Sequence, residues 1–173
     1  MHFERLTTDT DPRYPEAMAL YQISFPLHEQ RAEASQRAII SHTDYRFNLI
    51  MEGTSMVGIL LCWETPAFFY VEHFCIRPAL RGQRYEQRAL ELLHQQGKPV
   101  LLEIDPPVDA VSIRRKGFYE RAGYQVNAFP HIHPPYHPEF SGHSLVMMSY
   151  PKPLTQDEYD TFFHYLKHTV MGL

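Results

Sequence analysis

The stretch RGQRYEQ, residues 81–87, separates an apolar run at residues 70–76 from a helical pattern that begins at Tyr85. The pattern continues at Ala89 and Leu93, which fall on one face of a helix. A strand, a short turn of arginine and glycine, and a helix N-terminus together aim unpaired backbone N–H groups at one point, where a phosphate group binds well. The stretch therefore predicts an anion-binding turn within an α/β protein.

A second stretch, GFYERAGY at residues 117–124, lies on another predicted helix that ends at a glycine. Together the two stretches resemble the GNAT superfamily of acetyl-CoA-dependent N-acetyltransferases, and the resemblance covers residues 45–150. It implies an α/β (α+β) fold with a mixed, largely antiparallel sheet flanked by helices on both faces. It also implies an enzyme that moves an acetyl group from acetyl-CoA to a primary amine of a small molecule or peptide.

The turn is where the resemblance implies that acetyl-CoA binds, because in the family the pyrophosphate lies on the backbone amides of this turn and of the next helix. Arg84 and Glu86 stand where the family usually has small residues. Arg84 can donate to a phosphate oxygen, whereas Glu86 either points to water or repels the pyrophosphate, at a cost on the order of 1 kcal/mol. The implied cofactor-binding set is Phe74, Cys75, Ile76, Arg81, Gly82, Gln83, Arg84, Tyr85, Glu86, Gln87 and Ser112.

The same two residues support an alternative function. A GNAT-fold protein in which Arg84 and Glu86 impair the acetyl-CoA site would be a catalytically inactive binding or regulatory protein. Replacing both residues by glycine separates the two hypotheses. The affinity for acetyl-CoA would rise sharply only if these side chains block the site.

Acetyl transfer to an amine needs a general base and a general acid. Tyr119 matches the family's tyrosine near the cofactor sulfur, so the resemblance implies that it protonates the departing thiolate; an ordinary tyrosine pKa of about 10 suits this step. Glu72, in the strand before the turn, is the first candidate base, and Glu103 in the next strand is the second. A carboxylate in an apolar strand is costly to bury unless it is paired or functional, so a salt bridge is the structural alternative. His73 is a further candidate base and substrate contact.

A loop rich in proline and histidine, residues 129–138, separates the last two predicted strands. In the GNAT topology this loop borders the acceptor pocket, so the resemblance implies a rigid pocket wall in which His133 and Tyr136 contact the substrate. A purely structural loop and a metal site are the alternatives. Neither a cysteine nor a clear carboxylate completes a metal-binding set with His131 and His133, so no metal is expected.

Composition limits the other classes of function. The chain has 173 residues, of which 44% are apolar and 21% charged, and this predicts a single domain over residues 1–173. A formal net charge of −4 provides no basic surface for nucleic acid. No apolar stretch is long enough to span a membrane, and the N-terminus lacks the apolar segment of a secretory signal. We therefore expect a cytoplasmic protein with Cys62 and Cys75 as free thiols, and an exposed sheet edge would allow a homodimer.

Hydrophobic periodicity and turn residues predict the element order β-α-α-β-β-β-α-β-α-β-β-α. Residues 52–54 form a hairpin turn between two strands, and Gly123 ends the fourth helix. The last helix begins with Thr155 and Glu158, whose spacing is that of a capping box. Helices interleaved with these strands indicate a mixed α/β architecture.

Overall fold

Four antiparallel strands are the framework of the first of two compact units, Met1–Lys98, in the computed structural model. All 173 residues are described, and the second unit is Pro99–Leu173. The four strands pair in chain order: β1 (His2–Leu6), β2 (Tyr45–Glu52), β3 (Ser55–Glu64) and β4 (Phe69–Ile76). Strands β2 and β3 are buried along almost their whole length, which is why their sequences are nearly continuous apolar runs.

Two glycines allow this strand arrangement. Gly53 makes the predicted turn between β2 and β3 with a φ of 60°, in the left-handed region that favours glycine. At Gly58, β3 runs so close to β4 that an added Cβ would lie 2.4 Å from the carbonyl oxygen of Cys75. Any larger residue at position 58 would therefore push the two strands apart.

Strand β4 contains a β-bulge at Glu72. Leu61 of β3 pairs with His73, whereas its neighbour Cys62 pairs with Val71, so Glu72 is an extra residue without a counterpart in β3. An extra residue of this kind bends the strand and interrupts the regular alternation of its side chains. The bulge therefore sets the direction of the Glu72 side chain apart from that of its neighbours.

The helices of the first unit are α1 (Tyr14–Ser24), α2 (Glu33–Ile39) and α3 (Tyr85–His94), with short 3-10 turns at Leu27–Glu29 and Pro78–Leu80. Helix α1 contacts β3 and buries Ala17 and Tyr21 completely. It ends before Pro26, because proline disfavours a helical conformation in the residue before it.

The second unit has three main strands, a short ribbon and two helices. They are β5 (Val100–Ile104), α4 (Ala110–Arg121), β6 (Gln125–Asn127), β7 (Ile132–His133), β8 (His143–Ser144), β9 (Val146–Tyr150) and α5 (Gln156–Tyr165), followed by a π-helical turn at Leu166–Val170. Strand β9 lies between β5 and β6 and is antiparallel to both, while β7 and β8 pair only with each other.

The predicted mixed α/β fold with largely antiparallel strands is confirmed, and the main elements follow the predicted order. The β7–β8 ribbon was not predicted, because two-residue strands are too short to produce a periodic signal. Both cysteines are free, Cys62 being buried and Cys75 half-buried. None of the helices has the length and apolar character that crossing a membrane requires. The single-domain assignment stays a prediction.

The predicted capping box at the start of α5 is present. The Thr155 hydroxyl accepts a hydrogen bond from the Glu158 amide at 3.2 Å, and the Glu158 carboxylate accepts one from the Thr155 amide at 2.8 Å. Replacing Thr155 by alanine is expected to lower the free energy of unfolding by about 1 kcal/mol, because the helix loses its cap. Urea denaturation measures this change.

Thr161→Ala is the matched control for this measurement, because Thr161 is exposed in the interior of the same helix. Alanine favours a helix interior slightly more than threonine does. The control is therefore expected to leave stability unchanged or to raise it by a few tenths of a kcal/mol. Equal destabilisation by the two substitutions would contradict the capping role of Thr155.

Candidate active site

The turn between β4 and α3 keeps the backbone of a glycine-rich loop although it contains few glycines. Gly82 has a φ of 75° and Arg84 a φ of 65°, and Arg84 is the single non-glycine residue of the chain in the left-handed region. Arg84 also occupies the N-cap position of α3 and makes no capping hydrogen bond with its side chain. The first amides of α3 therefore lack the N-cap acceptor that a serine or aspartate would supply.

Two side chains of this turn form hydrogen bonds with residues nearby in the sequence. Gln83 donates to the Ala79 carbonyl at 3.2 Å, and Arg84 reaches the Gln87 side chain at 3.4 Å. Residues 81–84 are exposed, and Tyr85, Glu86 and Gln87 are half-buried in the first turn of α3. The predicted turn residues 81–87 therefore lie together around one helix N-terminus, with Arg84 and Glu86 both beside it.

The β4 residues of the predicted cofactor set, Phe74, Cys75 and Ile76, pair with residues 58–60 of β3. Ile76 is buried, while Phe74 and Cys75 are half-buried. Burial raises the pKa of the Cys75 thiol, and a thiol with a raised pKa is a poor nucleophile. Cys75 is therefore suited to a structural or contact role and not to covalent chemistry.

Glu72, the first candidate base, is completely enclosed in an ion pair. Arg31 donates to Glu72 Oε1 from Nη2 at 2.7 Å and from Nε at 3.2 Å, while the Trp63 indole donates to Oε2 at 2.8 Å. The Glu72 side chain has 0% of its surface exposed and that of Arg31 has 5%. Both carboxylate oxygens accept hydrogen bonds, and protonating Glu72 would leave Arg31 as a buried charge without its partner. The geometry therefore favours a structural role for Glu72.

His73 is also buried, at 4% exposure. Its Nε2 lies 2.7 Å from the Glu29 carbonyl oxygen and 3.3 Å from the Tyr21 hydroxyl. The rings of Tyr21 and Phe25 meet the imidazole at their edges, each with centroids 4.8 Å away. These contacts hold the His73 side chain of β4 against Tyr21 of α1 and Phe25, which follows α1. Its role as a base or substrate contact stays a prediction.

Glu103, the second candidate base, heads a chain of hydrogen bonds in the second unit. Its Oε1 meets Nε2 of His131, and His131 Nδ1 lies 2.9 Å from the Tyr159 hydroxyl. The Tyr159 hydroxyl also lies 3.3 Å from the Pro130 carbonyl oxygen, to which it can donate. Glu103 is therefore linked through His131 and Tyr159 to the backbone of Pro130.

The other oxygen of Glu103 faces His133, the predicted substrate contact. Glu103 Oε2 lies 4.0 Å from His133 Nε2, and the ring of Tyr136 lies beside the imidazole with centroids 4.9 Å apart. His131 and His133 are both buried, and Tyr136 is half-buried. The second unit therefore brings together Glu103, His133 and Tyr136, three of the residues that the sequence indicated.

Helix α4 holds the other two predicted site residues. The Ser112 hydroxyl accepts hydrogen bonds from the Val108 and Asp109 amides, both at 3.1 Å, and completes a capping box with Asp109. This explains why serine suits that position without a ligand. Tyr119 is half-buried, and its ring packs against those of Phe118 and Tyr124 with centroids 5.2 and 5.5 Å away.

Four residues that hold the two carboxylates were not predicted as members of these clusters: Arg31, Trp63, His131 and Tyr159. Arg31 lies 41 residues before Glu72, and His131 lies 28 residues after Glu103. The sequence signal for them was indirect, because an apolar strand that contains a carboxylate requires a partner somewhere in the chain.

The left-handed backbone at Arg84 yields a prediction about stability. Replacing Arg84 by glycine is expected to raise the free energy of unfolding by about 1 kcal/mol, because glycine adopts this conformation without strain. Arg84→Ala is the control, since alanine loses the guanidinium but keeps the Cβ that causes the strain. Urea denaturation of both variants checks the prediction, and equal stabilisation by alanine would contradict it.

The enclosed ion pair yields a second prediction. Glu72→Gln leaves Arg31 buried without its counter-charge, so the free energy of unfolding is expected to fall by roughly 3–5 kcal/mol. The double variant Arg31→Met, Glu72→Gln is expected to recover part of this loss. Glu33→Gln, which breaks an exposed pair with Arg37, is the control and is expected to change stability little. A loss no larger than that of the control would contradict the structural role of Glu72.

Comparison with known proteins gives one sequence relative and many structural ones. No protein-family model matches the chain. The chain is 25% identical over 103 residues to the Bacillus subtilis (strain 168) protein named "Putative acetyltransferase YjbC". The match covers 58% of this chain and 52% of that protein, so the chain spans about half the length of the relative.

The structure superposes on a solved "Putative acetyltransferase from GNAT family from Bacteroides thetaiotaomicron" with a TM-score of 0.93 at 28% identity, covering 100% of this chain and 99% of that one. An aminoglycoside 6'-N-acetyltransferase complexed with coenzyme A has a TM-score of 0.61 at 12% identity and covers 90% of this chain and 100% of its own. The Escherichia coli ribosomal-protein-S18-alanine N-acetyltransferase has a TM-score of 0.59 at 17% identity, with 90% and 96% covered. The last two share the fold alone. The chain therefore has the fold of the GNAT acetyltransferases, the family that residues 81–87 and 117–124 resemble.

Proposed function

We propose that the protein is an N-acetyltransferase that moves an acetyl group from acetyl-CoA to a primary amine of a small molecule or peptide. The observation that carries the proposal is the backbone of residues 81–87. The turn keeps a left-handed conformation at Gly82 and Arg84 and leads into a helix whose N-cap side chain makes no cap. The fold neighbour solved with coenzyme A supports the same donor.

The turn fits a pyrophosphate group. The N-terminal amides of α3 are orphan donors, and the positive end of the helix dipole favours an anion beside them. Arg81 and Arg84 are exposed at the same turn and add positive charge. Glu86 is the opposing feature, since its carboxylate lies in the first turn of α3.

The proposed reaction releases one proton overall. An ammonium group on the acceptor loses a proton, and its nitrogen attacks the thioester carbonyl carbon of acetyl-CoA. A C–N bond forms, the C–S bond breaks, and the thiolate takes up a proton while the new amide nitrogen gives up its second one. The products are the acetylated amine, coenzyme A with a free thiol, and one proton.

We place proton removal at Glu103 and its neighbour His133 in preference to Glu72, because both oxygens of Glu72 are held by Arg31 and Trp63. Tyr119 is the proposed acid for the thiolate, by its position in the stretch that resembles the family. We further propose that residues 1–173 act as one catalytic domain, which the end-to-end superposition on the Bacteroides protein supports.

Calorimetric titration with acetyl-CoA tests the proposal. We expect one site with a Kd near the micromolar range, about −8 kcal/mol. Glu86→Gln is expected to tighten binding about fivefold, because it removes a like charge worth on the order of 1 kcal/mol, and Arg84→Ala is expected to weaken it. Glu33→Gln, at an exposed residue of α2 outside this turn, is the control and is expected to leave the Kd unchanged.

Failure to bind acetyl-CoA at millimolar concentration would overturn the acetyltransferase proposal. In that case the double variant Arg84→Gly, Glu86→Gly decides between the remaining alternatives. Recovery of binding by this variant would support the alternative of a binding or regulatory protein whose acetyl-CoA site these two residues have impaired.

A further inference from the structure

His133 has one ring nitrogen committed and one without a partner. Its Nδ1 lies 2.6 Å from the Pro134 carbonyl oxygen, and since a carbonyl oxygen only accepts hydrogen bonds, Nδ1 carries a proton. Its Nε2 is buried and has no hydrogen-bond partner. The side chain is 6% exposed. A buried polar atom without a partner is costly, and it indicates a group that the site is built to receive.

The carboxylate of Glu103 lies nearest to His133 Nε2 and limits which atoms can bind there. Glu103 Oε2 lies 4.0 Å from His133 Nε2, which is too far for a direct hydrogen bond. A single nitrogen or oxygen atom placed between them could lie about 2.9 Å from each. His131 holds Oε1 of Glu103, and Oε2, as a carboxylate oxygen, is a hydrogen-bond acceptor.

Two acceptors call for a ligand atom with two donors. In neutral His133, Nε2 offers a lone pair, and Glu103 Oε2 offers another. A water molecule, or a primary amine or ammonium, can donate to both with separate O–H or N–H groups, whereas an alcohol or a tertiary ammonium has a single proton to give. The ring of Tyr136 beside His133 suits the carbon attached to such a nitrogen, or its positive charge.

We propose that Glu103 and His133 bind the acceptor amine through two N–H groups, and that His133 Nε2 takes its first proton. This inference rests on the proposed acetyl transfer and adds His133 as the residue that contacts the amine and accepts its proton. In the step, one N–H bond of the ammonium breaks and an N–H bond forms at Nε2. This gives a neutral amine and an imidazolium facing Glu103. His131 and Tyr159 are positioning residues, because they hold Glu103 without touching the amine.

Nitrogen NMR of the histidine rings tests amine binding in the unaltered protein. The probe is n-propylammonium, and trimethylpropylammonium is the matched control because it has the same charge and no N–H group. We expect the His133 Nε2 resonance to shift with the first ligand and not with the second. His133→Gln assigns the resonance by removing it, and His164→Gln, at an exposed histidine of α5, should leave it in place.

Three results would overturn the proposal: no shift with n-propylammonium up to its solubility, an equal shift with both ligands, or a shift with Zn²⁺ alone. The last would indicate a metal site at these residues. The titrations are recorded on the unaltered protein, and the His133→Gln variant is needed only to assign the resonance.

Kinetics with n-propylamine then test the proton transfer. His133→Gln is expected to lower kcat/KM for the amine about 100-fold, the scale of general base catalysis, with the Kd for acetyl-CoA unchanged. An unchanged kcat/KM would exclude His133 as proton acceptor. If the unaltered protein binds no acetyl-CoA, the proposed function fails, and the NMR titration still decides whether the amine site exists.

Tyr159→Phe tests the positioning role. It removes the hydroxyl that orients His131, so Glu103 Oε2 should be held less firmly. We expect a KM for n-propylamine raised several-fold, with little change in kcat or in the Kd for acetyl-CoA. An unchanged KM would show that Tyr159 does not position Glu103.

Discussion

A carboxylate inside an apolar strand needs a partner before the strand can be buried, and this requirement shapes both units of the protein. In the first unit, Glu72 of β4 is held by Arg31, which enters from the segment before α2. In the second unit, Glu103 of β5 is held by His131, which enters from the segment before β7. Each pair fastens an irregular segment to a strand. The two pairs differ in their second oxygen. Arg31 and Trp63 donate to the two oxygens of Glu72, whereas Oε2 of Glu103 lies 4.0 Å from His133 Nε2.

Local chemistry explains most of what could be predicted from the sequence. Hydrophobic runs gave the strands, and turn or capping residues gave their ends, as the hairpin at Gly53 and the box at Thr155 illustrate. The GNAT resemblance rested on two short stretches, and the superposition over the whole chain agrees with it. At the candidate site, the residue types were visible in the sequence, so Glu103 and His133 could be named before their distance was known.

The pairings could not be predicted, because no local rule connects residues that are tens of positions apart. Nothing near Glu72 in the sequence indicates Arg31, and nothing near Glu103 indicates His131. The bulge at Glu72 was also invisible, since it depends on the register of two strands and not on the composition of one. These long-range contacts enclose Glu72 between Arg31 and Trp63, so the sequence could rank Glu72 before Glu103 as a base but could not show that Glu72 is held in this way.

The conformation of Arg84 has a consequence for how this position evolves. Every arginine codon is one base change from a glycine codon, so an unstrained residue is always within reach of a single mutation. Such a mutation relieves the backbone strain of an arginine with a φ of 65° and removes its guanidinium at the same time. A library of all twenty amino acids at position 84 would therefore rank the residues differently under two selections. Selection for folding alone ranks glycine and asparagine first, while selection for the protein's activity ranks the cations first.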